Sequence, residues 1–285
     1  EVSNILSRPE QLTVLPDLSA GCSMADMANL AKVERTYREL SKVLDFDKTI
    51  TPITYINSAA DLKAFCGEHN GIVCTSTNAP NVLDWAFKKR EKVLFFPDQN
   101  LGRWTGHKMG IAIKDMPVWD PDLPLGGLTE KQILESKVLL WKGHCAVHQM
   151  FRLQHIEKFR ELHPKGIVIS HPESPFEVCQ NSDYVGSTEF IINTITQAKP
   201  NTKWLVGTEL NLVNRLANEM KPEGKLVQFM SHVVCECSTM ARIDPQHLSW
   251  TLENIINDNP VNIISVPKKE AELAKLALDR MLEIS

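Results

Sequence analysis

An internal repeat constrains the fold of this chain more than any other feature. Ser76-Thr77 recurs as Ser187-Thr188, and Asn100-Leu101 recurs as Asn211-Leu212, both at an offset of 111 residues (187 − 76 and 211 − 100). Each copy alternates short apolar runs with stretches of helical periodicity. Alternation of this kind favours parallel strands that are joined by right-handed helical crossovers. We therefore predict an α/β protein that is built from repeated units.

Three short apolar runs each lead to a cysteine. The pairs are Leu12–Leu15 with Cys22, Val138–Trp141 with Cys145, and Leu226–Met230 with Cys235 and Cys237. Ligands of parallel sheets bind outside the carboxyl ends of the strands, so these cysteines are expected to face one cleft. We predict a pseudo-threefold arrangement of three-layer αβα units with short parallel sheets and an active site at the central junction.

The repeat also gives the expected domain boundaries. Residues 1–45 would be the remainder of a first αβα unit, with the tail 238–285 packing nearby, and residues 46–147 and 148–237 would be the second and third units. In the first unit, residues 23–44 have helical periodicity with Ser23 as a plausible N-cap. Residues 261–266 are predicted to form a strand. Because the chain begins at Glu1, part-way through an apolar pattern, we expect that it lacks its natural N-terminus.

Composition excludes several classes of protein. The 285 residues carry a net charge of −4, which gives no basic field for nucleic acid. No apolar run approaches the roughly 18–20 residues that span a bilayer, and no signal peptide is recognisable. Seven cysteines at irregular spacings argue against a secreted disulfide framework and favour reduced thiols or metal ligands. We therefore predict a cytoplasmic protein.

Three thiolates around a threefold axis are suited to three corners of a 4Fe–4S cube, with one iron left open. Structural zinc would prefer four protein ligands and local CxxC pairs. The alternative is that these cysteines are small buried hydrophobic residues, which is how we interpret Cys66, Cys74 and Cys179. Spacing alone does not decide between Cys235 and Cys237, although the downstream Met240 favours Cys237.

Polar residues follow the predicted strands at the same edge. His171 and Glu173 come directly after one strand, and such a pair is suited to proton transfer. Tyr55 and Asn57 end another and could hold a small anion. Ser76 and the Ser187-Thr188 pair open helices, where a phosphate or carboxylate binds well. The alternatives are a structural histidine, a solvated carboxylate and ordinary helix capping.

A set of motifs spread over nearly the whole chain resembles the quinolinate synthase family. The motifs are AGCSMADM, TYINSAADLKA, VCTSTNA, FFPDQNLGR, WKGHCAVHQMF, HPES, DYVGSTEFII, VGTELNLV and CSTM. The resemblance implies a 4Fe–4S cluster, one per chain, held by Cys22, Cys145 and Cys237. It also implies the active-site positions Tyr55, Asn57, Ser76, His148, His171, Glu173, Ser187, Thr188 and Met240. Many family members have cysteine where this chain has Ser174, which is not an expected ligand.

The resemblance further implies a reaction and its partners. The family condenses iminoaspartate with dihydroxyacetone phosphate to give quinolinate for NAD biosynthesis, and the open iron acts as a Lewis acid. In that reaction Glu173, His171 and Tyr55 are the expected catalytic residues, and an aspartate oxidase is the expected supplier of iminoaspartate. Two alternatives remain, a non-catalytic fragment that binds a cluster or a phosphate ligand, and a different hydro-lyase with an open-iron cluster.

Overall fold

Two all-parallel β-sheets form the framework of the computed structural model, which describes residues 1–233 and 236–284. The first sheet has the order β2-β1-β3-β5-β4, and the second has the order β7-β6-β8-β9. The strands are β1 Ile50–Tyr55, β2 Ile72–Cys74, β3 Lys92–Phe96, β4 Val118–Trp119, β5 Val138–Trp141, β6 Ile167–Ser170, β7 Tyr184–Val185, β8 Lys203–Gly207 and β9 Leu226–Phe229. The predicted α/β class with short parallel sheets is confirmed.

Helices connect the strands and cover the sheets. They are α1 Val2–Leu6, α2 Leu30–Leu40, α3 Phe46–Thr49, α4 Ala60–Glu68, α5 Ala79–Lys89, α6 Gln99–Lys108, α7 Glu130–Glu135, α8 Leu153–Leu162, α9 Phe176–Gln180, α10 Thr188–Gln197, α11 Leu210–Met220, α12 Pro245–Ile256 and α13 Lys268–Glu283. Every residue of β1, β3 and β5 is buried, as expected for strands with helices on both faces. Among the described residues, no helix has the length and apolar composition that a bilayer span requires.

The last helix, α13, packs closely on α4 and β2 and therefore belongs to the layer around the first sheet. Gly67 of α4 makes this approach possible, because a Cβ at that position would collide with the backbone carbonyl of Leu273. Ala274, Ala277 and Leu278 present the buried face of α13 to the core. No finding tests the predicted boundaries 1–45, 46–147 and 148–237, and they stay a prediction.

Three local predictions in the terminal segments are wrong. Residues 12–15 and 261–266 form no named strand, and their regular pairing is one antiparallel bridge between Val14 and Ile263. Helix α2 begins at Leu30 rather than at residue 23, because the Asn29 side chain accepts the Lys32 N–H at 3.0 Å and caps it there. Ser23 therefore caps no helix, and residues 25–27 form a short 3₁₀ turn.

Candidate functional site

A buried polar group lies where strands of both sheets end. Tyr55 is the last residue of β1, His148 follows β5 after a short loop, and His171 and Glu173 follow β6. All four side chains are buried although three of them can carry charge. Burying a charge is unfavourable unless it is paired, so the arrangement points to function rather than to packing.

The four residues are linked through the Glu173 carboxylate. His148 Nδ1 lies 3.3 Å from Glu173 Oε2, and His171 Nδ1 lies 4.0 Å from the same oxygen. The centres of the two imidazole rings are 4.9 Å apart. The Tyr55 hydroxyl interacts with Glu173 and with Ser76. One carboxylate is thus surrounded by two imidazoles and a phenol.

These neighbours set the protonation states. Burial alone would raise the pKa of Glu173, but His171, His148 and Tyr55 together lower it well below its usual value. Burial opposes protonation of His148, yet Cys145 and Glu173 raise its pKa to about 10. For His171, burial dominates and lowers the pKa to about 4. At neutral pH the group therefore combines a carboxylate, an imidazolium and a neutral imidazole.

The three predicted ligand cysteines differ from the other cysteines in exposure. Cys22, Cys145 and Cys237 are partly exposed, whereas Cys66, Cys74 and Cys179 are buried in the core as predicted. Cys235 lies outside the residues that the structure describes. A thiol must be partly exposed to bind a metal ion or a cofactor. The first three cysteines are therefore available for binding, and the three core cysteines are not.

Contacts between loops bring Cys22 towards Cys145. The Trp141 indole donates to the Met27 carbonyl at 3.0 Å, and the His144 N–H lies 3.3 Å from the Met27 sulfur. Gly143 lets the cysteine loop pass the Pro97 carbonyl, which a Cβ would meet. Burial raises the pKa of Cys22, and the charges of Glu173 and Cys145 add to that effect.

Cys237 is held by contacts with Glu209 and Thr239. Its backbone N–H donates to the Glu209 carboxylate at 3.4 Å, and its sulfur lies 3.3 Å from the Thr239 hydroxyl. Cys145 and Cys237 both pack against one apolar cluster that contains Val147 and Phe151. Cys145 thus packs against both the core cluster that Cys22 contacts and the cluster that Cys237 contacts.

Thiols are the usual protein ligands of iron–sulfur clusters, and Cys22, Cys145 and Cys237 offer three partly exposed ones. Cys22 and Cys145 would repel each other as thiolates, and bound metal cations relieve such repulsion. Within the described residues, one group of possible ligands is compact enough for a single metal ion, namely Cys145, His148 and Glu173, whose ligand atoms lie within 4.8 Å of one another. Cys22 and Cys237 are not part of that group.

The remaining predicted site residues lie around this centre. Ser76 is half-buried, and Ser187 is buried, with its Oγ accepting the Phe190 N–H at 3.3 Å as an N-cap of α10. Asn57, Thr188 and Met240 are exposed, and no described contact joins them to Glu173. The structure therefore brings together five of the nine positions, Tyr55, Ser76, His148, His171 and Glu173, and it leaves Asn57, Thr188 and Met240 facing solvent, while the buried Ser187 caps α10.

Three residues near the site were not predicted from the sequence. Asp98 is fully buried, Asn100 donates from its side chain to the Glu173 carbonyl at 3.2 Å, and Glu209 holds the Cys237 loop. The repeat contained the signal, because Asp98 and Glu209 are also 111 residues apart (209 − 98). Both are carboxylates at the start of equivalent helices.

Comparisons with known proteins all point to one family. The model of the family described as quinolinate synthetase A protein, NadA, matches residues 1–283. Curated relatives named quinolinate synthase are 51% identical in Rhodopirellula baltica, 50% in Herpetosiphon aurantiacus and 48% in Corynebacterium glutamicum. Each alignment covers 100% of this chain and 74%, 76% and 71% of the respective relative.

Proposed function

The chain belongs to the quinolinate synthetase A family, and on that basis we propose that it is a quinolinate synthase. It condenses iminoaspartate with dihydroxyacetone phosphate, releasing phosphate and water, in NAD biosynthesis. The observation that carries the proposal is the buried group of Tyr55, His148, His171 and Glu173 beside Cys145. A match over the whole chain, together with this group, supports an enzyme over a non-catalytic binding fragment.

Glu173 and His171 are the proton-transfer residues in this proposal. The isomerisation and ring closure require protons to leave carbon and nitrogen and to return to oxygen. An ionised Glu173 and a neutral His171 can both accept a proton, and His171 Nδ1 lies 4.0 Å from Glu173 Oε2. His148, held as an imidazolium, can donate a hydrogen bond to a substrate carboxylate. Tyr55 stays a neutral donor, since burial and the charge of Glu173 raise its pKa well above its usual value.

The substrate anions are assigned to hydroxyl groups and helix N-termini. Ser187 and Thr188 begin the ten-residue helix α10, whose first N–H groups favour an anion. The Ser187 oxygen already accepts an N–H, so its own hydrogen is left to donate to a phosphate oxygen. Ser76 adds a second hydroxyl beside Tyr55. Asn57 and Met240 are assigned to the rim of the pocket, where Asn57 would bind a carboxylate.

Cys22, Cys145 and Cys237 would hold one 4Fe–4S cluster in this proposal. With three cysteine ligands such a cluster leaves one iron free to act as a Lewis acid towards a hydroxyl or carboxylate. Iminoaspartate is unstable in water, so we further propose that an aspartate oxidase in the cytoplasm supplies it. Each of these assignments rests on the family and on the partial exposure of the three thiols.

Metal analysis and turnover together test the proposal. Anaerobically purified chain should contain about four irons and four sulfides, which Cys145→Ala loses and the core variant Cys66→Ala retains. Glu173→Gln should keep the cluster and lower kcat by about 10²–10⁴-fold, because it removes a proton acceptor. Full turnover by Glu173→Gln would overturn the assignment. Iron bound equally by the Cys145→Ala variant would overturn the ligand set.

A further inference from the structure

Cys145, His148 and Glu173 form a compact donor group of a kind that a single metal ion binds. The three residues supply a thiol sulfur, an imidazole nitrogen and a carboxylate oxygen, and these atoms all lie within 4.8 Å of one another. His148 and Glu173 are buried, and Cys145 is partly exposed at the mouth of the group. A loop after β5 and a loop after β6 hold the three ligands, so the group is fixed by both sheets.

The spacing is suited to a small tetrahedral ion. Zinc binds sulfur at about 2.3 Å and nitrogen or oxygen at about 2.0–2.2 Å, which places two such ligand atoms about 3.3–3.7 Å apart. His148 Nδ1 and Glu173 Oε2 are already 3.3 Å apart. Cys145 needs to close by about an ångström or less for the sulfur to reach the same ion.

His148 provides the second, independent observation. His148 is 7% exposed, its Nε2 has no hydrogen-bond partner among the described residues, and its Nδ1 lies 3.3 Å from Glu173 Oε2 without the geometry of a hydrogen bond. Buried polar atoms in proteins almost always have such a partner, and a buried nitrogen that has none is suited to bind a metal ion. Zn²⁺ bound by one thiolate, one carboxylate and one neutral imidazole would also keep the buried group without net charge, and the proton of His148 would be released on binding.

From these observations we propose that the cluster-free chain binds one zinc ion through Cys145, His148 and Glu173, at a site that overlaps the three-cysteine cluster site at Cys145. Three protein ligands with an open fourth position are the composition of catalytic zinc sites. Cys145 is common to both sites, so zinc and the iron–sulfur cluster exclude each other. Zinc bound to the cluster-free chain therefore blocks cluster assembly. The zinc proposal does not depend on whether the chain makes quinolinate.

Cobalt and zinc titrations of the cluster-free chain under anaerobic, reducing conditions test the proposal. Co²⁺ replaces zinc and reports a thiolate ligand by charge-transfer absorption in the near ultraviolet. We expect one ion per chain, with loss of that absorption in Cys145→Ser. Competition with a chromophoric chelator should show that Glu173→Gln and His148→Gln each weaken zinc binding by at least about tenfold.

Two variants distinguish this site from the cluster ligands. Cys22→Ser removes a predicted cluster ligand but should bind zinc as the unmodified chain does. Cys237→Ser removes the other predicted cluster ligand that lies outside the donor group, and it should also bind zinc unchanged. Circular dichroism shows which variants are folded. Loss of zinc in Cys22→Ser, or unchanged zinc binding in folded Glu173→Gln and His148→Gln, would overturn the proposal.

Discussion

The N-termini of α6 and α11 occupy equivalent positions in the two repeat copies but lie in different surroundings. Asp98 caps α6 by accepting the Leu101 N–H at 2.7 Å, and Glu209 caps α11 by accepting the Asn211 N–H at 2.7 Å. Asp98 is fully buried, with one carboxylate oxygen that has no described hydrogen bond, whereas Glu209 is only partly buried. The local sequence sets the cap in both copies, and the tertiary environment decides what else the carboxylate does.

The asparagines two residues further on differ in the same way. Asn100 is buried, and its amide donates across the two sheets to the Glu173 carbonyl at 3.2 Å. Asn211 is exposed, and its amide donates to Glu209 within its own helix N-terminus at 3.1 Å. The first copy thus supports the carboxylate loop of the site, and the second supports the Cys237 loop through Glu209.

The largest expected effect is a pH-dependent change in the free energy of unfolding that comes from Asp98. Burial and the charge of Glu173 raise its pKa to about 8. The folded chain therefore keeps a proton that the unfolded chain releases, so the contribution of Asp98 lowers the free energy of unfolding as the pH rises from about 4 to about 8. Asp98→Asn should remove this dependence and be more stable than the unmodified chain at pH 8. Denaturant unfolding at pH 5 and pH 8 measures the change.

Glu209→Gln is the matched control at the equivalent cap. Its carboxylate accepts the Asn211, Leu212 and Cys237 N–H groups, and charge-assisted hydrogen bonds of this kind are stabilising. The substitution should therefore lower the free energy of unfolding by about 1 kcal/mol. If both substitutions destabilise the chain equally at pH 8, the contrast between the two caps is wrong.

The second prediction concerns Asn100 as a positioning residue for Glu173. Asn100→Ala leaves the buried Glu173 carbonyl without its donor, which should cost about 1–3 kcal/mol of stability. Because the Glu173 loop then moves relative to His148, we expect kcat to fall more than KM changes. Asn211→Ala, at the exposed equivalent position, should alter stability by less than about 0.5 kcal/mol and leave turnover unchanged. Equal kinetics in the two variants would refute the positioning role.

The third prediction tests the link between Glu209 and the Cys237 loop. Glu209→Ala removes the cap of α11 and the acceptor for the Cys237 N–H, at a cost of about 1–2 kcal/mol. The loop is then less fixed, so anaerobically purified protein should contain less iron per chain and lose it faster to a chelator. Asp98→Asn keeps a capping oxygen and should retain its iron. Unchanged iron release in Glu209→Ala would show that the contact is structural only.

The sequence predicted much of the framework because its signals are local. Buried runs such as Val138–Trp141 have few alternatives to a core strand, and β5 spans those residues. The Leu12–Leu15 run was misassigned because an apolar run forms a strand only where a neighbouring strand pairs with it, and here one bridge to Ile263 is formed. Pairing and burial depend on distant residues, and a single sequence does not show them.

The same reasoning explains which site residues could be found. His171 and Glu173 were found because they directly follow a strand. Asp98 and Asn100 have the sequence of an ordinary helix start, and only their burial against the second sheet gives them a role. Ser187 was open to two interpretations, and the structure shows its N-cap hydrogen bond, while its phosphate contact remains a prediction.

The smallest effect is expected at Thr239. Its hydroxyl lies 3.3 Å from the Cys237 sulfur and can donate to a thiolate. Hydrogen bonds to ligand sulfurs help to set the potential of iron–sulfur clusters, and they favour the more negatively charged reduced state. Thr239→Val keeps the shape of the side chain and removes the donor, so the cluster should become harder to reduce while iron content stays constant. Thr77→Val, on the exposed loop after β2, is the control. If redox titration gives the same cluster potential for Thr239→Val and the unmodified chain, the Thr239 hydroxyl does not act on the cluster. Glu209 would then be the contact that links the second repeat copy to Cys237.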